Sequence, residues 1–256
     1  MESIAIANRK GGVGKTATSL NLAAGLHRQG KRTLLIDIDP QCCLTKHLNI
    51  DPDNVPTIYD VISGEISASN VIIKTTEEVD LIPGSPELSL LERTESIAED
   101  TFKAVLKPVR RKYDYIIVDC PPGLGNLLIN ALTACTDTLI TAEAKQSSLD
   151  AVIQLNDSIT AVKQYSNKRL KVKGILITMY KPRTRLAQDM RANLEDLAAY
   201  MGTKVFDTEI RECNSLGEAE AMHQSIFRYA PKSNAAKDYN NFINEILQEG
   251  DLNNGK

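Results

Sequence analysis

The stretch that decides the fold runs from Arg9 to Thr16 and reads RKGGVGKT. A strand-like run, SIAIAN, precedes it at positions 3–8, and a helix-forming segment follows it from Lys15. Glycines let the backbone approach phosphate oxygens closely, and successive N–H groups at the start of a helix attract an anion. The loop therefore predicts a phosphate-binding site, in which the Lys15 ammonium contacts the β- and γ-phosphates and the Thr16 hydroxyl ligates Mg²⁺.

Two further motifs carry acidic residues at the ends of apolar runs. The run LLIDIDPQ at positions 34–41 contains Asp37 and Asp39, and the run YIIVDCPPG at positions 115–123 contains Asp119. In open α/β sheets, ligands bind at the carboxyl ends of the strands, and a spacing of two residues sends Asp37 and Asp39 to the same side. We therefore expect these acids near the phosphates, with Asp119 holding the water shell of Mg²⁺.

The order of the predicted elements indicates the fold class. Short apolar runs alternate with longer helix-like segments, which is typical of a parallel sheet covered on both faces. The candidate strands are Ser3–Ala7, Thr33–Asp37, Val79–Pro83, Tyr115–Asp119, Thr138–Ala142, Gly174–Met179 and Lys204–Phe206. The candidate helices are Lys15–Gln29, Ile97–Arg111, Gly125–Ala134, Leu149–Tyr165, Thr184–Met201 and Ala235–Gln248. We expect an α/β fold with a doubly wound, mostly parallel sheet and helices on both faces. One domain would cover residues 1–250, followed by a polar tail at 251–256.

Composition limits the classes of function. The chain has 256 residues, of which 42% are hydrophobic, and a net charge of −3, so binding to DNA or anionic lipid requires a local basic patch. No two of the five cysteines have C-x-x-C spacing, which disfavours a zinc or redox site. We find neither a signal peptide nor an apolar run of the ~18 residues that a membrane span requires, so we expect a cytoplasmic protein.

The loop also departs from the plain Walker A pattern, because Arg9 replaces its first glycine and Lys10 precedes the remaining ones. The sequence KGGVGKT resembles the deviant Walker motif of the ParA/Soj partition ATPases of the ParA/MinD superfamily. DIDPQ at positions 37–41 and TMYKPRTRL at positions 178–186 resemble the D-x-D-P-Q and T-M-Y…R-T-x-L segments of that family. The resemblance covers nearly the whole chain. Because the loop begins within ten residues of Met1, we expect the small class that lacks an N-terminal helix-turn-helix.

The resemblance implies a Mg²⁺-dependent ATPase with a P-loop NTPase fold. Lys10 would reach across an ATP-dependent sandwich homodimer to the phosphates of the partner, and Asp39 would orient the attacking water. Asp37 would bind Mg²⁺ through water. The residues assigned in this way to catalysis are Lys10, Lys15 and Asp39. Those assigned to ATP are Lys10, Gly11, Gly12, Val13, Gly14, Lys15, Thr16, Ala17 and Met179. Those assigned to the metal are Thr16, Asp37 and Asp119.

Two positions depart from the family pattern. Ala17 occupies a position where the family usually has a second threonine that contacts a phosphate, so we expect weaker nucleotide binding. Arg211 and Glu212 follow Ile210 where many relatives read I-P-R-N, which leaves the purine contacts and part of a DNA surface open.

The resemblance further implies non-specific DNA binding by the ATP dimer, release triggered by a ParB/Spo0J-like partner, and association with the nucleoid. The segment Lys168–Arg191 has eight bases and one acid, and its candidate DNA contacts are Lys181, Arg183, Arg185 and Arg191. These bases could instead pair with the segment Glu77–Asp100, which has eight acids and one base.

Other functions stay open at this point. A MinD-like ATPase that cycles on membranes would need a basic amphipathic helix at the C-terminus, whereas residues 235–256 contain two bases and four acids. We therefore expect no membrane partner. A ParA-like ATPase that positions a protein cargo, an iron–sulfur ATPase and a non-hydrolysing dimer are further alternatives. The sequence does not identify the cargo.

Overall fold

A single sheet of seven strands forms the centre of the molecule. The computed structural model describes residues 1–93, 98 and 100–254, and only the backbone of Arg93 and of residues 250–254. The strands are β1 (Glu2–Ala7), β2 (Thr33–Asp37), β3 (Ile73–Lys74), β4 (Asp80–Ile82), β5 (Tyr115–Asp119), β6 (Asp137–Glu143) and β7 (Lys171–Thr178). Their order is β3-β4-β2-β5-β1-β6-β7, and all pairs are parallel except β3 with β4.

Helices cover both faces of the sheet. They are α1 (Lys15–Arg28), α2 (Cys43–His47), α3 (Ile58–Ile62), α4 (Leu88–Arg93), α5 (Thr101–Leu106), α6 (Asn126–Ala134), α7 (Gln146–Tyr165), α8 (Arg185–Tyr200), α9 (Asn214–Ala221), α10 (Ile226–Tyr229) and α11 (Asn234–Asn254). Short 3₁₀ helices lie at Pro52–Asn54, Ala68–Asn70 and Arg110–Lys112.

Two hydrophobic clusters hold these layers together, one on each face of the sheet. On the first face, α3, α5, α6, α7 and α8 pack against Ile36, Val118 and Ile140. On the second face, α1, α10 and α11 pack against Ile4 and Leu35. Apart from the half-buried Glu2, the residues of β1, β2 and β5 are buried, which explains their mostly apolar composition between their first residues and their carboxyl ends. The predicted doubly wound α/β fold is confirmed.

Two predicted elements are much shorter in the structure, whereas β7, α7 and α11 are longer than predicted. The helix predicted over Ile97–Arg111 is shorter: α5 ends at Leu106, because Pro108 lacks an N–H and cannot continue a helix, and a 3₁₀ turn follows. Ile97 itself lies outside the described residues. The strand predicted at Lys204–Phe206 is reduced to an isolated bridge between Ile175 and Val205.

The C-terminal helix α11 is fastened to the segment that follows this bridge. The Glu245 carboxylate accepts hydrogen bonds from the backbone N–H groups of Asp207 and Thr208, at 3.0 and 2.8 Å. These N–H groups are therefore not available to extend a strand beside β7. The buried Asp238 carboxylate accepts from the backbone N–H and the guanidinium of Arg211.

The division between a domain over 1–250 and a tail from 251 remains a prediction, although the backbone of α11 continues to Asn254. In the part of the chain that the structure describes, no helix combines the length and the apolar character that crossing a bilayer requires.

Candidate functional site

The phosphate loop lies at the carboxyl edge of the sheet, between β1 and α1. Gly14 adopts a left-handed backbone with φ of 75°, which a residue with a side chain adopts only under strain, and it precedes the first residue of α1. The loop is anchored to β7, because the Thr178 hydroxyl at the end of that strand donates to the Val13 carbonyl at 3.0 Å. The Asn8 side-chain oxygen accepts the backbone N–H of Lys10 at 2.8 Å. Gly14 N–H and its neighbours are thus held in the conformation that an anion requires.

Lys15 is the buried base of the site. Its ammonium donates to the Lys10 carbonyl across the loop at 3.0 Å, and only 7% of the residue is exposed. Burial lowers the pKa of Lys15, and the nearby carboxylate of Asp119 opposes that shift. A buried cation with one neutral acceptor is poorly compensated, so an added phosphate would stabilise it.

Asp119 lies at the carboxyl end of β5, directly beneath the start of α1. Its carboxylate accepts hydrogen bonds from the hydroxyls of Thr16 and Ser19, both at 2.8 Å. Asp119 is fully buried and is the register neighbour of Asp37 on β2. Burial, and then the charge of Asp37, raise the pKa of Asp119.

Asp37 and Asp39 have different environments. Asp37 is fully buried and accepts from the backbone N–H of Thr45 at 2.9 Å, from its hydroxyl at 2.7 Å and from the N–H of Asp39 at 3.1 Å. Burial raises the pKa of Asp37, and the Thr45 contacts oppose that shift. Asp39 lies at the surface of the site with 8% exposure, and one of its carboxylate oxygens accepts from the Gln41 N–H at 2.9 Å. Asp39 therefore has a fixed orientation and a second oxygen for another group.

The donor set fits Mg²⁺ better than any cation that needs a protein cage. Among the described residues, no group of three or more acidic, histidine or cysteine side chains is placed to hold a metal. Mg²⁺ commonly uses one or two carboxylates together with substrate phosphates and water. Asp37 and Asp119 are two buried carboxylates with raised pKa values, and the Thr16 hydroxyl donates to Asp119. These groups provide the protein's part of such a site. Thr16 would contact the ion, and Asp119 and its register neighbour Asp37 would hold the water shell of the ion.

Lys10 is held within its own chain. Its ammonium pairs with the Glu143 carboxylate at 3.2 Å and donates to the Ser147 hydroxyl at 3.1 Å. The preceding Arg9 donates from its guanidinium to the side chain of Gln154 on α7. Both bases at the start of the loop therefore dock on the β6–α7 region. Lys10 is still 36% exposed, so it can leave this pair without unfolding the loop.

The loop after β5 joins the phosphate loop to α4. The Gly123 N–H donates to the Arg9 carbonyl at 3.0 Å. At the start of α6, the Glu92 carboxylate accepts the N–H groups of Asn126 and Leu127 at 3.0 and 3.2 Å. A Cβ atom at Gly125 would lie 1.8 Å from a Glu92 oxygen, so this approach requires glycine. Glu92 thus fixes the far end of the loop that follows Asp119.

The remaining predicted residues lie around this centre. Ala17 is half-buried in the first turn of α1, and Met179 follows β7 with 42% exposure. The candidate DNA contacts divide into two kinds. Lys181 pairs with Glu212 at 2.7 Å, and Arg191 pairs with Glu195 at 3.0 Å and with Glu209.

By contrast, Arg183 and Arg185 are exposed, and no described carboxylate lies within ion-pair distance of them. Within one subunit, the described acids of Glu77–Asp100 form no ion pairs with these bases; pairing between subunits, the other form of this alternative, stays open. Glu77 accepts from Ser225, Asp80 pairs with Lys74, and Glu92 caps α6. Glu95 and Glu99 lie outside the described residues.

Sequence reasoning missed the residues that position the predicted ones. These are Ser19, which holds Asp119; Thr45, which holds Asp37; and Glu143 and Ser147, which hold Lys10. Glu143 was detectable, because it directly follows the predicted strand Thr138–Ala142, at the edge where ligands bind. Ser19, Thr45 and Ser147 are common polar residues in helices and give no signal in one sequence.

The sequence and the fold match known proteins over nearly the whole chain. A family model described as an AAA domain matches residues 1–172. The sporulation initiation inhibitor protein Soj of Bacillus subtilis strain 168 is 38% identical over 96% of this chain and 98% of its own. The chromosome partitioning protein ParA of Myxococcus xanthus is 35% identical over 96% of this chain and 87% of its own.

The chain belongs to the ParA/Soj family of P-loop ATPases.

A solved structure of the same fold comes from Mycobacterium smegmatis. The protein, named cobyrinic acid a,c-diamide synthase, was determined with bound ADP and magnesium. It superposes with a TM-score of 0.85 and 32% identity, over 98% of this chain and 96% of that one. A second structure of that protein contains an ATP analogue and magnesium. These structures of a similar protein thus contain an adenine nucleotide and magnesium, the ligands that suit the phosphate loop and the acids of this chain.

Proposed function

We propose that this protein hydrolyses ATP with Mg²⁺ and acts as a nucleotide-switched partition ATPase. The observation that carries the proposal is the convergence of the phosphate loop, Lys15, Asp39 and Asp119 at one edge of the sheet. Mg²⁺, when bound by Thr16 and Asp119, neutralises charge on the phosphates. Lys15 exchanges its contact with the Lys10 carbonyl for one with the β- and γ-phosphates.

Asp39 positions the attacking water in this proposal. One of its oxygens is oriented by the Gln41 N–H, and the other is available to accept a proton of water. Phosphoryl transfer depends on positioning and charge stabilisation more than on strong base chemistry. Asp37, which anchors the Asp39 backbone and Thr45, keeps this carboxylate in place and contacts the ion only through water.

Lys10 completes the site of a partner subunit. It would leave Glu143 and Ser147 and contact the phosphates across an ATP-dependent homodimer. Its present pair is partly exposed, so breaking it costs about 1 kcal/mol or less. The negative charge that develops on the phosphates offsets that cost. The proposal is supported by the exposure of Lys10 and by its position on the surface of the phosphate loop.

The ATP dimer binds DNA without sequence preference, and a ParB/Spo0J-like partner stimulates hydrolysis and release. Arg183 and Arg185 provide the DNA contacts that are supported best, because they are exposed and have no described ion-pair partner. Lys181 and Arg191 would first have to leave their carboxylates. Two subunits double the patch, and the second contact then forms intramolecularly. The protein would consequently accumulate on the nucleoid.

The alternatives differ in the surface that each requires. A MinD-like membrane function would need a basic face on α11, whereas Asp238, Glu245 and Glu249 of that helix bind other parts of the same chain. A ParA-like ATPase that positions a protein cargo would use the same nucleotide site, so the site does not distinguish it from a DNA segregation ATPase.

Co-sedimentation tests the DNA function. The wild type, an Arg183→Glu/Arg185→Glu variant and a Lys232→Glu/Lys237→Glu variant with the same change of charge are mixed with random duplex DNA or with anionic vesicles, each with and without ATP. We expect ATP to increase DNA binding by the wild type and the Lys232/Lys237 control, and not by the Arg183/Arg185 variant. ATP-dependent binding to vesicles, with no effect of ATP on DNA, would favour the membrane function instead.

A further inference from the structure

The predicted basic segment Lys168–Arg191 is divided in space by a strand. Strand β7 spans Lys171–Thr178, so at about 3.3 Å per residue its two ends are separated by roughly 25 Å. Arg183 and Arg185 lie at the carboxyl edge of the sheet, beyond the end of β7. Lys168, Arg169 and Lys171 lie at the opposite edge, where the parallel strands begin. The segment therefore forms two surfaces that cannot contact the same few phosphates.

A second group of bases lies at this opposite edge. Arg110, Arg111 and Lys112 form the 3₁₀ turn that leads into β5, and Lys112 and Lys31 line one surface pocket of about 330 Å³. The group of Arg110–Lys112 with Lys31 and the group of Lys168, Arg169 and Lys171 are together called the amino-edge patch. Strands β5 and β7 are three strand spacings apart in the sheet, so the starts of these two strands, to which Arg110–Lys112 and Lys168–Lys171 lead, are separated by about 14 Å. Lys31 leads into β2, which lies one strand farther from β7.

The bases of the amino-edge patch are unpaired. Among the described side chains, those of residues 1–92, 98 and 100–249, no carboxylate lies within ion-pair distance of them. Arg111, Lys112, Lys168, Arg169 and Lys171 are exposed, and Lys31 and Arg110 are half-buried.

Most acids at the amino edge of the sheet are in ion pairs or are largely buried. Asp114 pairs with Arg32 at 2.8 Å, Asp80 with Lys74 at 2.8 Å and Glu2 with Lys173 at 2.7 Å. Glu249 pairs with Lys204 and Lys173, and Glu78 lies near His27. Asp137 is mostly buried in a pocket that it shares with Lys171. In a chain with a net charge of −3, an edge on which most acids are paired or buried and several bases are free carries a local positive charge, and Glu78 is the exposed acid that partly offsets it.

The chemistry of the patch favours a polymer of phosphates. We propose that the amino-edge patch is a second surface for the sugar–phosphate backbone of duplex DNA, separate from Arg183 and Arg185 and independent of ATP. The separation of about 14 Å is close to the width of a major groove, ~12 Å, so long side chains can contact the phosphates on its two sides. Tyr165 and Tyr200, which end α7 and α8 near this edge, are 78% and 85% exposed and can donate hydroxyls to phosphate oxygens.

A membrane fits this edge less well. Peripheral binding to a bilayer requires apolar side chains that insert between headgroups. Of the exposed large apolar side chains of the described residues, Met1, Tyr165 and Tyr200 lie at or near this edge, and each tyrosine carries a polar hydroxyl. The exposed leucine and isoleucine side chains, Leu90, Ile153 and Leu186, do not belong to the amino-edge patch. The bases lie on loops and strand ends, and no amphipathic helix carries them.

The proposal rests on the proposed function for the identity of the partner, and it deepens that function. The amino-edge patch is present on each subunit and lies on the side of the sheet away from the nucleotide. A single subunit would therefore hold DNA weakly between cycles, and ATP-driven dimerisation would add the contacts of Arg183 and Arg185.

Salt-dependent DNA binding tests the proposal. Affinity of the full chain for a random duplex is measured by fluorescence anisotropy over a salt series, without nucleotide and with ATP. The variants are Lys168→Glu/Arg169→Glu, Arg111→Glu/Lys112→Glu, Arg183→Glu/Arg185→Glu and the control Lys232→Glu/Lys237→Glu. Circular dichroism and ATP affinity verify that each variant is folded, and neutral Gln versions replace any that is not.

We expect the wild type to bind DNA without ATP, and each amino-edge variant to lose about tenfold or more in that affinity and about two units of the log–log salt slope. The Arg183/Arg185 variant and the control should keep ATP-free binding. The proposal is overturned if the wild type binds only with ATP, if both amino-edge variants keep ATP-free affinity and slope, or if these variants lose binding to anionic vesicles and not to DNA. If the amino-edge variants lose ATP-free binding and ATP changes the affinity of no protein, DNA binding by the amino-edge patch is supported. The same result would refute the proposed control of DNA binding by ATP.

Discussion

At the scale of single residues, Lys15 and Lys10 have different environments although they are five positions apart in one loop. Lys15 is buried and faces inward to the Lys10 carbonyl, so its charge is available to a bound phosphate and to little else. Lys10 points outward and is paired with Glu143. The two lysines should therefore separate nucleotide binding from turnover.

We expect Lys15→Ala to abolish ATP binding, because the phosphates would lose a cation inside a partly desolvated loop. Isothermal titration calorimetry with ATP and Mg²⁺ measures the affinity directly. Lys10→Ala is the matched control and should bind ATP as a monomer with nearly normal affinity. Retention of wild-type affinity by Lys15→Ala would show that the nucleotide lies elsewhere.

In the proposed dimer, Lys10 has to leave Glu143, so this pair opposes dimer formation slightly. Glu143→Gln removes the charge that holds Lys10, so we expect the ATP dimer to become tighter by about two- to fivefold, as for a partly exposed ion pair. Sedimentation velocity in an Asp39→Ala background, which slows hydrolysis, gives the dimer affinity. Glu212→Gln, which frees Lys181 outside the phosphate loop, is the control. An unaltered dimer affinity in Glu143→Gln would mean that this pair does not restrain Lys10.

At the scale of elements, prediction succeeded where burial alone determines the pattern. The bounds of β2 and β5 agree with the sequence prediction, since both strands are buried on both faces and end at an acid. It failed where tertiary contacts decide. The two-residue strand β3 is too short to show a period, and α5 stops before Pro108. The helices α2, α3, α4, α9 and α10 have eight residues or fewer and were not predicted, because so few turns leave little periodicity to detect.

The same distinction applies to the candidate site. The acids at the strand ends and the phosphate loop follow from local sequence patterns, and the structure brings them together. The contacts of Lys10 with Glu143 and of Glu92 with α6 join residues far apart in the chain. Such contacts depend on how crossovers place the helices, and one sequence does not contain that information.

The contact of Glu92 with α6 is a further test at this scale. Its carboxylate satisfies two N–H groups at the positive end of the helix, which contributes about 1–2 kcal/mol. We expect Glu92→Ala to lower the free energy of unfolding by that amount in urea titrations, and to slow ATP turnover because the loop after Asp119 loosens. Glu220→Ala, at an exposed helical glutamate, should change neither. Equal stability of Glu92→Ala and the wild type would refute the capping role.

At the scale of the whole molecule, the two edges of the sheet differ in charge and in the groups that they expose. The carboxyl edge carries the phosphate loop, the buried acids and the surface of Lys10. The amino edge carries unpaired bases beside neutralised acids. The sequence displayed Lys168–Arg191 as one basic segment, and only the path of β7 shows that its two parts are on opposite sides of the sheet. Net charge and segment charge were thus insufficient to predict where an anion would bind.

The proposed mechanism depends most on a dimer in which each site uses Asp39 of its own chain and Lys10 of the partner. Lys10→Ala and Asp39→Ala should each bind ATP and hydrolyse it slowly, since each loses one group needed in the transition state. The decisive measurement is the steady-state ATPase rate of mixtures of the two variants. In a mixed dimer, one site retains both groups, so activity should rise to a maximum near equal proportions and approach a quarter of the wild-type rate if subunits pair at random. Mixtures that remain inactive at every ratio, while mixed dimers are detected by native mass spectrometry, would contradict the account.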